Sequence, residues 1–298
     1  MMKPDRHLSF VGMTTVDIVQ IADDLPEPNQ KGWARDAYLD VGGPATNAAI
    51  TASILGSPVS LHSAFGRGPL GDLVNGLIDR HGVNRISYGD NPAVPVSSIW
   101  VVAGDRTLLS TAASFDGPQP DTVDLGGAAA VLFDGFYPDL ARAAARAAAG
   151  ESIPVILDCG TWREVFVDLL PLASVAIVSE QFEFPDQTGA SPARVIGRLL
   201  DEYRLRFVAV SRGGDPIAWA TRASSGQLAV PRVAAVDTLA AGDVLHGAFM
   251  HFAYREGLDD LMALEQAAAV AARSCEHLGP RAGVEASADG GANSRPPA

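Results

Sequence analysis

Short strand-like runs with little polar alternation recur along this 298-residue chain, and they limit its fold more than any other feature. HLSFVGM, VSLHSAF, AAVLFDG, IPVILDCG, VAIVSE and FVAVSRGG are such runs, separated by segments of helical spacing that include GGPATNAAITASILG, DLVNGLIDRHG, DLARAAARAAAG and ARVIGRLLDEY. A strand without polar alternation is buried on both faces, and this requires helix layers above and below a parallel sheet. The sequence therefore predicts an α/β fold, a doubly wound, mostly parallel sheet flanked by helices. In the alanine-rich segment, Arg142 and Arg146 fall four apart on one face, as on an amphipathic surface helix.

Two segments do not fit strand–helix alternation. KGWARDAYLDV (31–41) alternates in polarity, and VSSIWVVAGDRTLLSTAA (96–113) predicts a hairpin turning at AGDR. After about Val284 the chain becomes polar and rich in Gly, Pro and Ala, EASADGGANSRPPA, and is expected to stay unordered. The expected organisation is one domain over 1–285, interrupted by these two segments, and a tail over 286–298.

A net charge of −13, from 22 basic and 35 acidic side chains, argues against nucleic acid or an anionic membrane as partner, since phosphate neutralisation needs clustered Lys and Arg. The two cysteines, Cys159 and Cys275, form no metal-type pair and read as reduced thiols. The N-terminus lacks the apolar core of a signal peptide, and no apolar run approaches the ~18 residues needed to span a bilayer. The expected location is the cytoplasm.

No GxxxxGK[ST] loop occurs, so any ATP is held by other means. GRGPLG (66–71) is a literal GxGxxG with Asp90 about twenty residues on, which raises a nicotinamide-dependent oxidoreductase as a second reading. Pro69 inside the turn, its distance from the first strand and the frequency of such patterns by chance make it the weaker one. VDTLAAGDVLHGAF (236–249) is the better phosphate site. Ala240, Ala241 and Gly242 would bring bare amides to the start of a helix, where N–H groups are unpaired and the dipole is positive. Asp243 beside them is either a general base for an attacking alcohol or simply a helix cap.

VDTLAAGD resembles the DTxGAGD signature of the ribokinase-like (PfkB) carbohydrate kinases, and GGPATNAAITASILG resembles their N-terminal GG…N signature, in the same order and about 190 residues apart. The resemblance covers about residues 8–285. It implies a large α/β domain with a small β-sheet lid inserted as segments at about 14–40 and 95–115, a sugar and ATP as small-molecule partners with Mg2+ and, in some members, a monovalent cation such as K+. It implies that Asp243 is the base and that Ala241 and Gly242 supply the anion hole. Gly43, Asn47 and Asp17 match sugar contacts, Ser211 and Gly213 match the nucleotide turn, and Asp237 and Thr238 match positions near the cation. Pairing of lids into a homodimer is also implied.

The resemblance is closest to sulfofructose kinases and ketohexokinases, so the expected substrate is a ketose or ribose-like sugar, an anionic one such as sulfofructose included. Lys31 near the lid, Arg281 near the nucleotide or cation end, and Asp158 and Arg163 at a strand end are further polar candidates. The family's Asn-x-x-Glu is absent: Ser179 and Phe182 occupy those positions, leaving Glu180 or Glu183 as metal candidates. The same motifs would also suit a nucleoside kinase of this fold or a sugar-binding homologue without activity.

Overall fold

A computed structural model describes residues 6–89, 93–102, 105–112 and 117–292. The first half runs β1 (Leu8–Val11), β2 (Thr15–Ala22), β3 (Asp36–Gly42), α1 (Pro44–Ile54), β4 (Val59–Ser63), α2 (Gly68–Asp79), β5 (Asn84–Ser87), β6 (Val96–Val102) and β7 (Asp105–Ser110). The second runs β8 (Ala130–Phe133), α3 (Pro138–Glu151), β9 (Val155–Cys159), α4 (Phe166–Leu169), β10 (Val175–Ser179), α5 (Pro192–Glu202), β11 (Phe207–Arg212), β12 (Asp215–Ala220) and β13 (Ser225–Leu228). It closes with α6 (Ala241–Met250), α7 (Asp260–Ser274) and α8 (Ala282–Ala292).

All six apolar runs become strands of one nine-stranded sheet, ordered β13-β12-β11-β10-β9-β8-β1-β4-β5. From β5 through β11 every neighbouring pair is parallel. Strands β1, β4, β8 and β9 are buried at every position, and separate apolar clusters fill the two faces, as the absence of alternation required. The sequence did not announce the antiparallel edge, where β12 folds back on β11 and β13 on β12.

The two exceptional segments join β2 in a second sheet, ordered β3-β2-β6-β7. β6 and β7 are the expected hairpin, antiparallel from Ser97↔Ser110 to Val102↔Asp105. Ala103 and Gly104 of its turn, like Asp90, lie outside the described residues.

The tail expectation is corrected: helix α8 continues to Ala292, so residues 286–292 are helical. Polar composition did not keep this segment unordered because it docks on α7. Val284 is fully buried, Gly283 fits so closely that an added Cβ would lie 2.5 Å from the Arg273 carbonyl oxygen, and Arg273 donates to Ser287 Oγ.

Chain order around β1 positions the site. The chain leaves β1 toward β4 and β5 and returns on the other side as β8, and ligands of open α/β sheets bind at the carboxyl ends of such a switch point. Asp134, just past β8, ties that point together. Its carboxylate accepts from the amides of Met13 (2.9 Å), Ala45 (3.1 Å) and Phe136 (2.8 Å), joining the loops after β1, before α1 and before α3.

Candidate active site

A cavity of about 800 Å³ opens at these carboxyl ends, between the two sheets. Asp17 and Thr15 come from β2, Gly43 and Asn47 from the start of α1, Ser97, Ile99, Arg106 and Leu108 from the hairpin, and Ala240, Gly242 and Asp243 from the start of α6. The β8–α3 loop and the loop after β9 complete it with Phe136, Tyr137 and Arg163. The two sequence signatures thus meet in space.

Local geometry explains both. Gly43 precedes α1 with φ 99°, and an added Cβ would lie 2.2 Å from the Met13 carbonyl oxygen, so only glycine fits this entry to the helix. Ala240 enters α6 in the left-handed conformation, φ 59°, and no side chain caps the helix. The turn closes Ala241 N–H onto the Thr238 carbonyl at 3.3 Å, and Arg106 Nη1 donates to the same carbonyl at 3.1 Å. Ala241's amide is thus engaged, while those of Gly242 and Asp243 have no backbone acceptor among the described residues. An ideal Cβ on Gly242 would meet nothing within 4 Å, so the approach to these amides is open. Uncapped amides at a helix start suit a phosphate.

Asp243 is oriented from behind. Asn47 Nδ2 donates to Asp243 Oδ2 at 2.7 Å, and Asn47 Oδ1 accepts from Arg281 Nη2 at 2.6 Å. The guanidinium also donates to the Val41 carbonyl at 2.8 Å and lies 3.4 Å from Asp40 Oδ2. Arg281 can only donate, so it fixes which way the Asn47 amide faces. Burial, then the charge of Asp158, push the Asp243 carboxyl up to about 6, and the Asn47 hydrogen bond opposes them. Asp17 is likewise pushed up to about 6, chiefly by burial and against the hydrogen bond from Thr15 Oγ1 at 2.7 Å.

Other candidates lie elsewhere. Arg281 stands behind Asn47 and against β3, two residues past Gly279, whose N–H donates to Asp237. Lys31 is an exposed loop residue and does not line the cavity. Asp158 is 7% exposed and faces His246 instead of the cavity, whereas Arg163, one loop on, does line it, with its guanidinium 3.4 Å over the Phe136 ring. Ser211 lies in β11, its Oγ donating to the Val178 carbonyl at 3.3 Å, and Gly213 in the turn to β12, both outside the cavity lining.

The metal candidates do not converge. Glu180 and Glu183 are exposed, and Glu183 accepts from Gly189 N–H at 2.8 Å. Asp237 is buried with both oxygens engaged, Oδ1 by Leu239 N–H and Oδ2 by Gly279 N–H and Tyr38 Oη. Thr238 contributes its carbonyl to the turn. Among the described residues no group of three His, Cys, Asp or Glu could hold a metal ion. Residues 67–70 of GRGPLG are exposed at the start of α2, and none of the six lines the cavity.

Sequence reasoning missed Asp134, Arg106 and His246. FDG at the end of an apolar strand was a usable sign for the first; the other two depend on which face of β7 and α6 turns inward.

The family model described as pfkB family carbohydrate kinase matches residues 5–287. Solved structures of similar shape include a ribokinase from Thermotoga maritima (TM-score 0.78, 20% identity, covering 97% of this chain and 100% of that one). An Arabidopsis thaliana ribokinase complexed with ribose and ATP has TM-score 0.71 and 20% identity, covering 94% of each chain. A candidate ribokinase II from E. coli, in complex with ATP and Mg2+, has TM-score 0.78 and 20% identity, covering 97% of this chain and 100% of that one. No helix among the described residues is long and apolar enough to cross a membrane.

Proposed function

The chain belongs to the pfkB family of carbohydrate kinases, and from that premise we propose that it transfers the γ-phosphoryl group of ATP to a primary hydroxyl of a ketose or ribose-like sugar, with Asp243 as general base. Family membership makes it a phosphotransferase with an alcohol group as acceptor. The observation that carries the finer reading is the pairing of an oriented carboxylate with open helix-start amides on one cavity wall.

The sugar lies between Asp17, Asn47 and Asp243, under the small sheet. Its hydroxyl oxygen attacks the γ-phosphorus as the bond to the β–γ bridging oxygen breaks. Asp243 takes the hydroxyl proton, and ADP leaves. A carboxyl at about 6 is ionised at pH 7 yet more basic than an ordinary aspartate, which suits a base at neutral pH. The amides of Gly242 and Asp243, with the dipole of α6, stabilise charge on the phosphoryl oxygens. Magnesium, for which the described residues offer no cluster of ligands, would supply charge neutralisation on the phosphates when bound. The small sheet, joined to the α6 turn through Arg106, keeps water from competing with the sugar. The ribose and ATP of the Arabidopsis neighbour support this assignment of ligands.

Asp243→Asn keeps the shape and the bond from Asn47 but removes the base. Sugar-dependent ATP turnover, measured over ketoses, pentoses, nucleosides and anionic sugars, should fall roughly 10²–10⁴-fold with the fold retained. Unchanged turnover in this variant would reject the assignment.

A further inference from the structure

Beneath the α6 turn lies a buried histidine that the reaction above does not use. His246, one helical turn after Gly242, is 5% exposed. Its Nδ1 lies 2.7 Å from the Gly242 carbonyl oxygen and its Nε2 lies 3.0 Å from the Ile177 carbonyl oxygen on β10. Both partners are backbone carbonyls, which only accept hydrogen bonds. A neutral imidazole has one N–H, so it could satisfy one of these contacts and would turn a lone pair toward the other oxygen. Both contacts are hydrogen bonds only in the doubly protonated ring.

A doubly protonated ring in the interior needs a counter-charge. Asp158, at the end of β9, supplies it: Oδ2 is 3.5 Å from His246 Nδ1, buried, and without a hydrogen-bond partner of its own. From the geometry we propose that His246 is an imidazolium paired with Asp158, and that the pair is a positioning device for the reaction centre. It anchors the Gly242 carbonyl, and with it the first turn of α6, to the middle of the large sheet. It also places one negative and one positive charge directly behind Asp243.

That second role rests on Asp243 being the base, whereas the charge state of the ring does not. The groups facing Asp243 are Asp158 from β9, His246 on its own helix, Asn47 on α1 backed by Arg281, Arg106 from β7 and Asp17 from β2. Asp134 and Arg163 face Asp158 from its other sides. Asp158 disfavours the ionised base and His246 favours it, so removing either should move the base in opposite directions.

The experiment has two arms, both on the full chain. In the first, nitrogen NMR of ¹⁵N-histidine-labelled protein at neutral pH should show both ring nitrogens of His246 protonated, with the signal assigned by its absence from His246→Gln or by through-bond connectivity. One protonated nitrogen would overturn the proposal. In the second, the acid limb of the kcat/KM profile should move to lower pH in Asp158→Asn and to higher pH in His246→Gln, each by roughly half a unit to one unit. A merely structural pair would lower kcat without moving the limb, and a stationary limb in Asp158→Asn, a near-isosteric change, also overturns it. If Asp243→Asn keeps its turnover, the assignment of the base fails while the NMR result for His246 still stands or falls by itself.

Discussion

Helices α2 and α6 both begin at glycine-bearing turns, and of these two only the α6 turn borders the cavity. α2 starts within GRGPLG and α6 within LAAG; neither has a side-chain cap, and both turns use left-handed residues, Gly66 and Gly68 in one and Ala240 in the other. Their dipoles and unpaired amides are alike by construction. The α2 turn faces solvent, where an anion keeps its water and its counterions. The α6 turn opens into a cavity with a carboxylate of raised basicity, an amide fixed by Arg281 and a second sheet overhead. A bare turn offers an anion a place, and its surroundings decide whether chemistry follows.

The largest effect that separates the two turns should come from closing one of them. Gly242→Val adds atoms where no protein atom lies within 4 Å, at a helix position without positive φ, so the fold should tolerate it. The added branch occupies the approach to the amides. Removing an oxyanion donor's access costs on the order of 10²-fold in turnover, and kcat with thermal unfolding on the same sample should show that loss with the transition in place. Pro69→Ala in GRGPLG should leave sugar-dependent turnover as it is. Equal losses from both changes would erase the distinction between the turns.

The contrast also marks how far residue patterns could go. The six apolar runs reported their burial on both faces, because that property belongs to each strand alone, and all six lie in the large sheet. LAAGD and GG…N were legible because a close backbone approach permits few residue types. Asp158 was not: it lies near the end of a strand that is buried throughout, and whether its carboxylate turns to the cavity or to α6 depends on a helix that begins 83 positions later. The contact of Arg281 with Asn47 was not legible for a similar reason, since it follows from the docking of α8 against α7, a helix whose composition pointed to an unordered tail. Glu180 and Glu183 had a motif's location without its geometry.

A smaller effect, on stability alone, should mark the α2 turn. Gly66 has φ 66°, and an added Cβ would lie 2.3 Å from Val94 Cγ2. Gly66→Ala therefore meets both backbone strain and a displaced core valine, and should lower unfolding free energy by about 2–3 kcal/mol in denaturant titrations. Turnover per folded molecule should be unaffected. If turnover fell with intact stability, the GRGPLG turn would be part of the reaction centre after all.

The smallest effect reads the burial of the α6 side through pH. Asp17 has a folded-state carboxyl at about 6, above its unfolded value near 4, so the folded protein holds a proton that the unfolded chain has released between those values. In that window stability falls as pH rises, and above about 6 the burial penalty is fully present. Asp17→Asn cannot ionise and keeps an oxygen to accept from Thr15, so it should be more stable than the parent at pH 7 by about 1–2 kcal/mol. The advantage should shrink on acidification through 6 and vanish near 4, as followed by denaturant midpoints across that range. An advantage that does not vary with pH would mean that the cavity wall around Asp17 is as open to water as the turn before α2, and the comparison would lose its physical basis.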